Sequence, residues 1–127
     1  MLSIKKYENH FYFVFRILIG LLFFQHGAQK LFGWFGGQAV NIGSIMGLAG
    51  IIETAVGILV VIGLFTKIAS SIAAVEMLVA YFMAHFPQGT YPLLNQGAPA
   101  LLYFAAFLVL LSQGARKWGI DSYLDNR

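Results

Sequence analysis

The amino-acid sequence predicts an all-α membrane protein that folds as an antiparallel bundle of four transmembrane helices, and two observations lead to this fold class. The chain of 127 residues is 59% hydrophobic and only 10% charged, whereas soluble domains carry about a quarter charged residues. A chain of this length cannot hide so much apolar surface from water. Its apolar residues also fall into four runs, at about 11–32, 44–65, 68–86 and 97–113, and about 20 apolar residues span a bilayer. A single membrane-embedded domain is therefore expected.

The first run is interpreted as a retained membrane helix. Basic residues precede it, as in a signal peptide, but the run is too long and no clear small-x-small cleavage site follows it. Steps of three and four residues place five side chains on one face of this helix: Arg16, Gly20, Phe23, Gly27 and Lys30. Both ends of that face are cationic, and its middle admits a close neighbouring helix.

The second and third runs form a tight antiparallel hairpin, because only Thr66 and Lys67 separate them. Small residues recur at helical spacing in both runs, and the two stripes are Gly43, Gly47, Gly50, Thr54 and Gly57 in the second, and Ala69, Ala73, Glu76, Ala80 and Ala84 in the third. Membrane helices associate through such residues, so both stripes are expected to face other helices or, for the glycine stripe, a second copy in a homo-oligomer. The fourth run is short unless its polar flanks lie at the membrane interface.

The basic residues predict the orientation of the bundle in the cell membrane. Four spans place both termini on one side, and that side holds Lys5, Lys6, Lys67, Arg116, Lys117 and Arg127, with Arg16 near it. The opposite side holds Lys30 alone. Because Lys and Arg concentrate in cytoplasmic loops, both termini are expected in the cytoplasm.

The composition also excludes several function classes. The chain has no cysteine, so it forms no disulfide, thiolate metal site or redox dithiol of its own. Its cations flank the membrane spans, which does not indicate a nucleic-acid surface. No nucleotide fingerprint or HExxH motif is present, so no built-in cofactor or metal is expected, although a metal or haem site through His26, His85 and Glu53 stays conceivable.

Glu53 and Glu76 are unusual because they lie inside apolar runs, where an ionisable group costs a few kcal/mol and is a functional candidate by default. At 1.5 Å per residue, Arg16 lies roughly 7 Å in from the cytoplasmic side, Glu76 roughly 12 Å and Glu53 roughly 18 Å. Arg16 and Glu76 are therefore predicted to form a structural ion pair, and Glu53 is predicted to be the freer carboxylate. The alternative is that each acid is purely structural.

A second polar group is predicted toward the outer face. His26 and Lys30 are one helical turn apart, Gln25 and Gln29 adjoin them, and His85 and Asn95 are expected at a similar height. With Glu53 about two turns below, they would line an outward-opening pocket with apolar walls from Tyr81 and Tyr103. Such donors beside aromatic walls suit a quinone, to which Glu53 or His26 could supply protons. The predicted catalytic residues are Glu53 and His26, and the predicted ligand-binding residues are Gln29, Lys30, Tyr81, His85 and Asn95.

The pattern R-x-x-x-G-x-x-F-x-x-H-G-x-x-K-L, followed in order by the later glutamates, "AYFMAHFP" and "PLLN", closely resembles the DoxX family of small four-helix membrane proteins. The family is named for a subunit of a thiosulfate:quinone oxidoreductase, and other members are linked to quinone or thiol stress and to complexes with sulfurtransferase or superoxide dismutase. By position, the resemblance implies that the family's polar residues fall on Arg16, His26, Lys30, Glu53, Glu76, His85 and Asn95.

Two departures from the family pattern bear on activity. Where members usually read N-x-G-E, this chain has Ala98 at the position of the glutamate, and the closing G-x-G-x-W-S-x-D pattern carries Ala115 at its second glycine.

Three functions are therefore weighed. The first is a membrane component of a quinone-linked oxidoreductase or thiol-stress system, with a redox partner subunit. The second is a non-enzymatic membrane anchor or assembly subunit, and the third is a small transporter, which ranks last because no broken mid-membrane helix is evident.

Overall fold

The computed structural model describes residues 3–125, so Arg127, which contributed to the predicted orientation, lies outside the described residues. Its long helices are α1 (Glu8–Phe32), α2 (Ile45–Ile62), α3 (Thr66–Ala80) and, after the short α4 (Pro92–Asn95), α5 (Ala98–Gln113); α6 (Ile120–Asp125) ends the described chain. A 3₁₀ turn at Ser3–Tyr7 precedes α1, and α3 continues through a π-helical turn (Tyr81–His85) into a 3₁₀ turn (Phe86–Gln88). The predicted all-α fold class is confirmed.

Three helical stretches are long and apolar enough to cross a membrane: Ser3–Phe32, Ile45–Ile62 and Thr66–Gln88. The fourth apolar helix, Ala98–Gln113, is shorter, with 16 residues. Large apolar side chains cover the outside of these helices, as at Leu18, Ile58 and Leu102. That exposure is expected where acyl chains, and not water, surround the protein.

Capping side chains and left-handed residues fix where the helices meet. Ser44 caps α2 by accepting a hydrogen bond from the backbone N–H of Gly47 at 3.1 Å. Gly63, with φ of 69°, ends α2 in the left-handed conformation that glycine adopts without strain. The carboxylate of Asp121 then accepts the backbone N–H groups of Phe65 and Thr66, each at 2.8 Å. The tight α2–α3 turn is thus held by the C-terminal helix α6.

The glycine faces of α1 and α2 bring these two helices into direct backbone contact. A methyl group placed on Gly20 would approach the backbone nitrogen of Val61 to 2.9 Å, and one on Gly57 would approach that of Phe24 to 2.6 Å. Real side chains do not approach so closely, so only glycine fits at either position. This result confirms the predicted helix-facing roles of Gly20 and Gly57.

The second layer is formed by α3 and α5. Ala69, Ala73 and Met77 of α3 are buried together with Phe107 and Leu110 of α5. From α1, Phe23 joins this core, with its ring 4.7 Å from the ring of Phe107 in an edge-to-face arrangement. The small-residue stripe that begins in α3 is buried at Ala69 and Ala73 but exposed at Ala84, in the π-helical turn, so only its first part packs against other helices.

Arg16 does not pair with Glu76, and this prediction was wrong. Its side chain is 1% exposed and donates to five backbone carbonyls, those of Val60, Val61, Ala115, Lys117 and Trp118, at 2.8–3.2 Å. The last carbonyls of a helix lack intrahelical partners, and the planar guanidinium can satisfy several acceptors at once. Arg16 therefore fastens the end of α2 to the segment that follows α5.

Candidate functional site

The structure joins Lys30 of α1 to Glu53 of α2. The Nζ atom of Lys30 donates to Oε1 of Glu53 at 2.6 Å, and the Glu53 side chain is only 3% exposed while that of Lys30 is 20% exposed. Both residues were predicted as site residues, but Glu53 was expected to be the freer carboxylate and is instead paired. Lys30 turns inward because a buried carboxylate needs a cation in a low-dielectric interior.

Glu76 of α3 completes this polar cluster. Its carboxyl group neighbours that of Glu53, and its Oε1 atom is buried with no hydrogen-bond partner among residues 3–125. Lys30, Glu53 and Glu76, which we call the carboxyl cluster, therefore bring one cation, two acids and a carboxyl oxygen without a partner to the middle of the bundle.

His26 makes its hydrogen-bond contacts outside the carboxyl cluster, with Tyr103 of α5 and the backbone of α1. The Tyr103 hydroxyl lies 3.3 Å from Nδ1 of His26. The same Nδ1 atom lies 2.9 Å from the carbonyl oxygen of Leu22. Because a carbonyl only accepts, Nδ1 carries the proton in this arrangement and Nε2 is left as an acceptor. His26 itself is exposed on the outside of α1.

His85, Asn95 and Tyr81 form a separate network. The amide nitrogen of Asn95 donates to the Tyr81 hydroxyl at 3.2 Å and to the carbonyl of Gly89 at 2.9 Å, while its Oδ1 accepts from Gly97 at 2.8 Å. Nδ1 of His85 lies 3.2 Å from the Asn95 carbonyl oxygen, and its ring stacks on that of Tyr81. These three predicted ligand-binding residues thus fasten the loop before α5 to the π-helical turn.

Gln29 is also engaged elsewhere. It is exposed, its amide nitrogen lies 3.4 Å from the carbonyl oxygen of Phe35, and its side chain packs against Gly37. Gln29 therefore lies against the glycine-rich loop that follows α1, away from the carboxyl cluster.

The two departures from the family pattern lie outside the carboxyl cluster. The methyl group of Ala115 faces Gly63 and Gly119, beside the guanidinium of Arg16. Ala98 is the first residue of α5, next to Gly97, which is part of the Asn95 network. The residues predicted for a metal site do not converge either, since no three His, Asp or Glu side chains in the described part of the chain are placed to hold a metal ion.

An apolar groove lies between α2 and α3 and has a volume of about 640 Å³. Aliphatic side chains of both helices form its walls, and Glu76 is the one ionisable residue that lines it. Three further cavities of about 400–420 Å³ are found, two of them beside Arg116 and Asp125. None of these four cavities is lined by His26, Lys30, Glu53 or His85, so the predicted outward-opening pocket is not among them.

Sequence reasoning singled out Glu76 but assigned it the wrong partner, and it named Tyr103 only as a wall. Position along the sequence gives the depth of a side chain in the membrane but not the direction in which its helix is rotated. The small-residue stripe of α3 was the available signal, because it places Glu76 toward other helices.

Comparisons with known proteins agree with the fold. The DoxX family model matches residues 11–86. A protein of Haemophilus influenzae described as uncharacterized is 34% identical to this chain over 129 residues, which cover 96% of each of the two chains. No solved structure matches the chain. With a family match over more than half of its length and a relative that aligns almost from end to end, the chain belongs to the DoxX family of membrane proteins.

Proposed function

We propose that this protein is the membrane component of a quinone-linked redox system and that it binds the head of a quinone-like molecule at the carboxyl cluster. The observation that carries this proposal is the buried Lys30–Glu53 pair at 2.6 Å, with the unpartnered oxygen of Glu76 beside it. Ionisable groups inside a membrane are expensive and mark functional sites by default.

The chemistry of the cluster suits a quinone carbonyl. The oxygen of a quinone accepts hydrogen bonds, and both the Lys30 ammonium and a protonated carboxyl donate them. Reduction of a quinone to the quinol takes up two electrons and two protons. The chain has no cysteine, so both electrons come from a redox partner protein. One proton comes from the cluster, and the second comes from His26 or from water through it. With the predicted orientation, both termini lie on the cytoplasmic side.

A specific observation favours a second function, that of a non-enzymatic anchor or assembly subunit. The Arg16 contacts and the Asn95 network satisfy their polar groups within the protein, which is what a purely structural role requires. An anchor predicts that Glu53→Gln is tolerated in cells, whereas Arg16→Ala lowers the amount of protein in the membrane.

Binding of phylloquinone to the protein in lipid nanodiscs tests the proposal. We expect Lys30→Met and Glu53→Gln each to weaken binding about tenfold or more, which corresponds to the loss of one hydrogen bond from a charged group. Lys67→Met and Glu8→Gln are matched controls, because both residues are exposed near the ends of the bundle, and they should bind like the unmodified protein. Unmodified protein without measurable phylloquinone binding would refute the quinone proposal and leave the anchor function.

A further inference from the structure

We propose that the α2–α3 groove holds the apolar tail of the quinone-like ligand and admits it sideways from the bilayer, and that Glu76 is the first residue of the carboxyl cluster to contact its head. This inference rests on the proposed function. It adds the path by which the ligand enters, the site that holds its tail, and a contact between Glu76 and its head.

The groove opens toward lipid. Its walls include Ile45, Ile72, Val79 and Met83, all of which are exposed on the outside of the protein. Its volume of about 640 Å³ lies within the range of about 300–1,000 Å³ that is typical of small-molecule sites. An apolar chain can therefore pass from the bilayer into the groove without crossing water.

Glu76 shows that the occupant is more than a hydrocarbon chain. A polar atom that faces hydrocarbon without a hydrogen bond costs several kcal/mol, and Oε1 of Glu76 is buried without a partner in the described residues. An acyl chain offers it no hydrogen bond. A ligand with a carbonyl group does, because a carboxyl group that faces hydrocarbon is neutral and its O–H can donate to that carbonyl.

The depth of Glu76 distinguishes a quinone from a phospholipid. At 1.5 Å per residue it lies about 15 Å along α3 from Thr66, which is near the centre of a hydrocarbon core about 30 Å thick. The charged head of a phospholipid stays at the membrane surface, whereas the uncharged head of a quinone can enter the core. The ligand that fits the groove is therefore a lipophilic carbonyl compound with an apolar tail.

Small residues keep the groove wide, and their replacement by phenylalanine tests whether the ligand occupies it. Ala49 of α2 and Ala80 of α3 line it, so Ala49→Phe and Ala80→Phe should fill it. Ala105 is exposed on α5 and does not line this groove, so Ala105→Phe is the matched control. Affinity is measured for phylloquinone and for menadione, which has nearly the same naphthoquinone head and no tail.

We expect each groove-filling variant to weaken phylloquinone binding about tenfold or more, with menadione binding and the Ala105→Phe control changed less than about twofold. Glu76→Leu should weaken the binding of both compounds, because it removes the contact with the head. Groove-filling variants that bind phylloquinone like the unmodified protein would overturn the groove inference. If Lys30→Met still loses binding in that case, the proposed function stands; if the unmodified protein binds neither quinone, both fail.

A labelling experiment needs no variant and covers the case in which a filled groove prevents folding. A phylloquinone analogue with a diazirine in its tail is photolysed in nanodiscs, and the labelled peptides are identified by mass spectrometry. Labels on Ile52, Val79 or Met83 support the inference. Labels concentrated on α1 or around Leu102 of α5, or spread evenly over the exposed apolar surface, would overturn it.

Discussion

Replacement of Arg16 by lysine tests how the end of α2 is held to the segment that follows α5. The guanidinium donates to five carbonyls of two segments, those at the end of α2 and those after α5. A lysine ammonium donates at most three hydrogen bonds and lacks the planar fork. A hydrogen bond from a charged group is worth about 1.5–3 kcal/mol, so the loss of two of them predicts a decrease of about 3 kcal/mol or more in the free energy of unfolding.

The assay is unfolding by denaturant in detergent, followed by tryptophan fluorescence. Trp118 is a suitable reporter because its own carbonyl accepts from Arg16 at 3.0 Å. Arg116→Lys is the matched control. Arg116 is only partly buried and makes one side-chain hydrogen bond, to Asn9 at 3.0 Å, so its replacement should cost less than about 1 kcal/mol. Equal losses in the two variants would refute the role assigned to Arg16.

A double-mutant cycle separates this arrangement from the ion pair that the sequence predicted. If Arg16 and Glu76 do not touch, the effects of Arg16→Met and Glu76→Gln on the free energy of unfolding should add to within about 0.5 kcal/mol. A coupling energy above about 1 kcal/mol would show that the two side chains interact.

Two further outcomes are expected. Gly57→Ala should lower the free energy of unfolding by about 1–3 kcal/mol, because its methyl group would approach the backbone of Phe24 to 2.6 Å and force the helices apart. The control is Ala105→Val at an exposed position, which should change the free energy of unfolding by less than about 0.5 kcal/mol. Asn95→Ala should make the loop before α5 more sensitive to protease, because Tyr81 loses its hydrogen-bond partner. The affinity for phylloquinone should stay the same. A loss of affinity without greater cleavage would show that Asn95 contacts the ligand.

The fold could be predicted because its determinants are local in the sequence. Apolar runs fix the number and approximate length of the helices, and glycines at steps of three and four mark the faces that touch. Gly20 and Gly57 meet the neighbouring helix as this spacing indicates. The Asn95 network could not be predicted in the same way, because a loop without regular pattern folds back to deliver that side chain to Tyr81.

The candidate site could be predicted only in part, because sequence gives the height of a side chain on its helix but not the direction it faces. Lys30 and Glu53 were both named, yet their pairing depends on how α1 and α2 are rotated against each other. The depths of the two side chains in the membrane, taken alone, favoured Arg16 as the partner of Glu76. The carbonyls at the end of α2 were closer acceptors for Arg16, and backbone carbonyls leave no signal in a sequence.

Charge balance within the membrane explains why the three groups of the carboxyl cluster belong together. Lys30 supplies one positive charge, and Glu53 at 2.6 Å neutralises it. Arg16, the other cation of the same helix face, is committed to carbonyls about 21 Å away along α1, so it cannot compensate Glu76. An unbalanced carboxylate near the middle of the bilayer would cost several kcal/mol, and Glu76 avoids that cost when its carboxyl group is protonated and neutral. The neutral cluster therefore holds one proton beside an apolar groove, which is the arrangement that an uncharged carbonyl ligand requires and a charged lipid head does not.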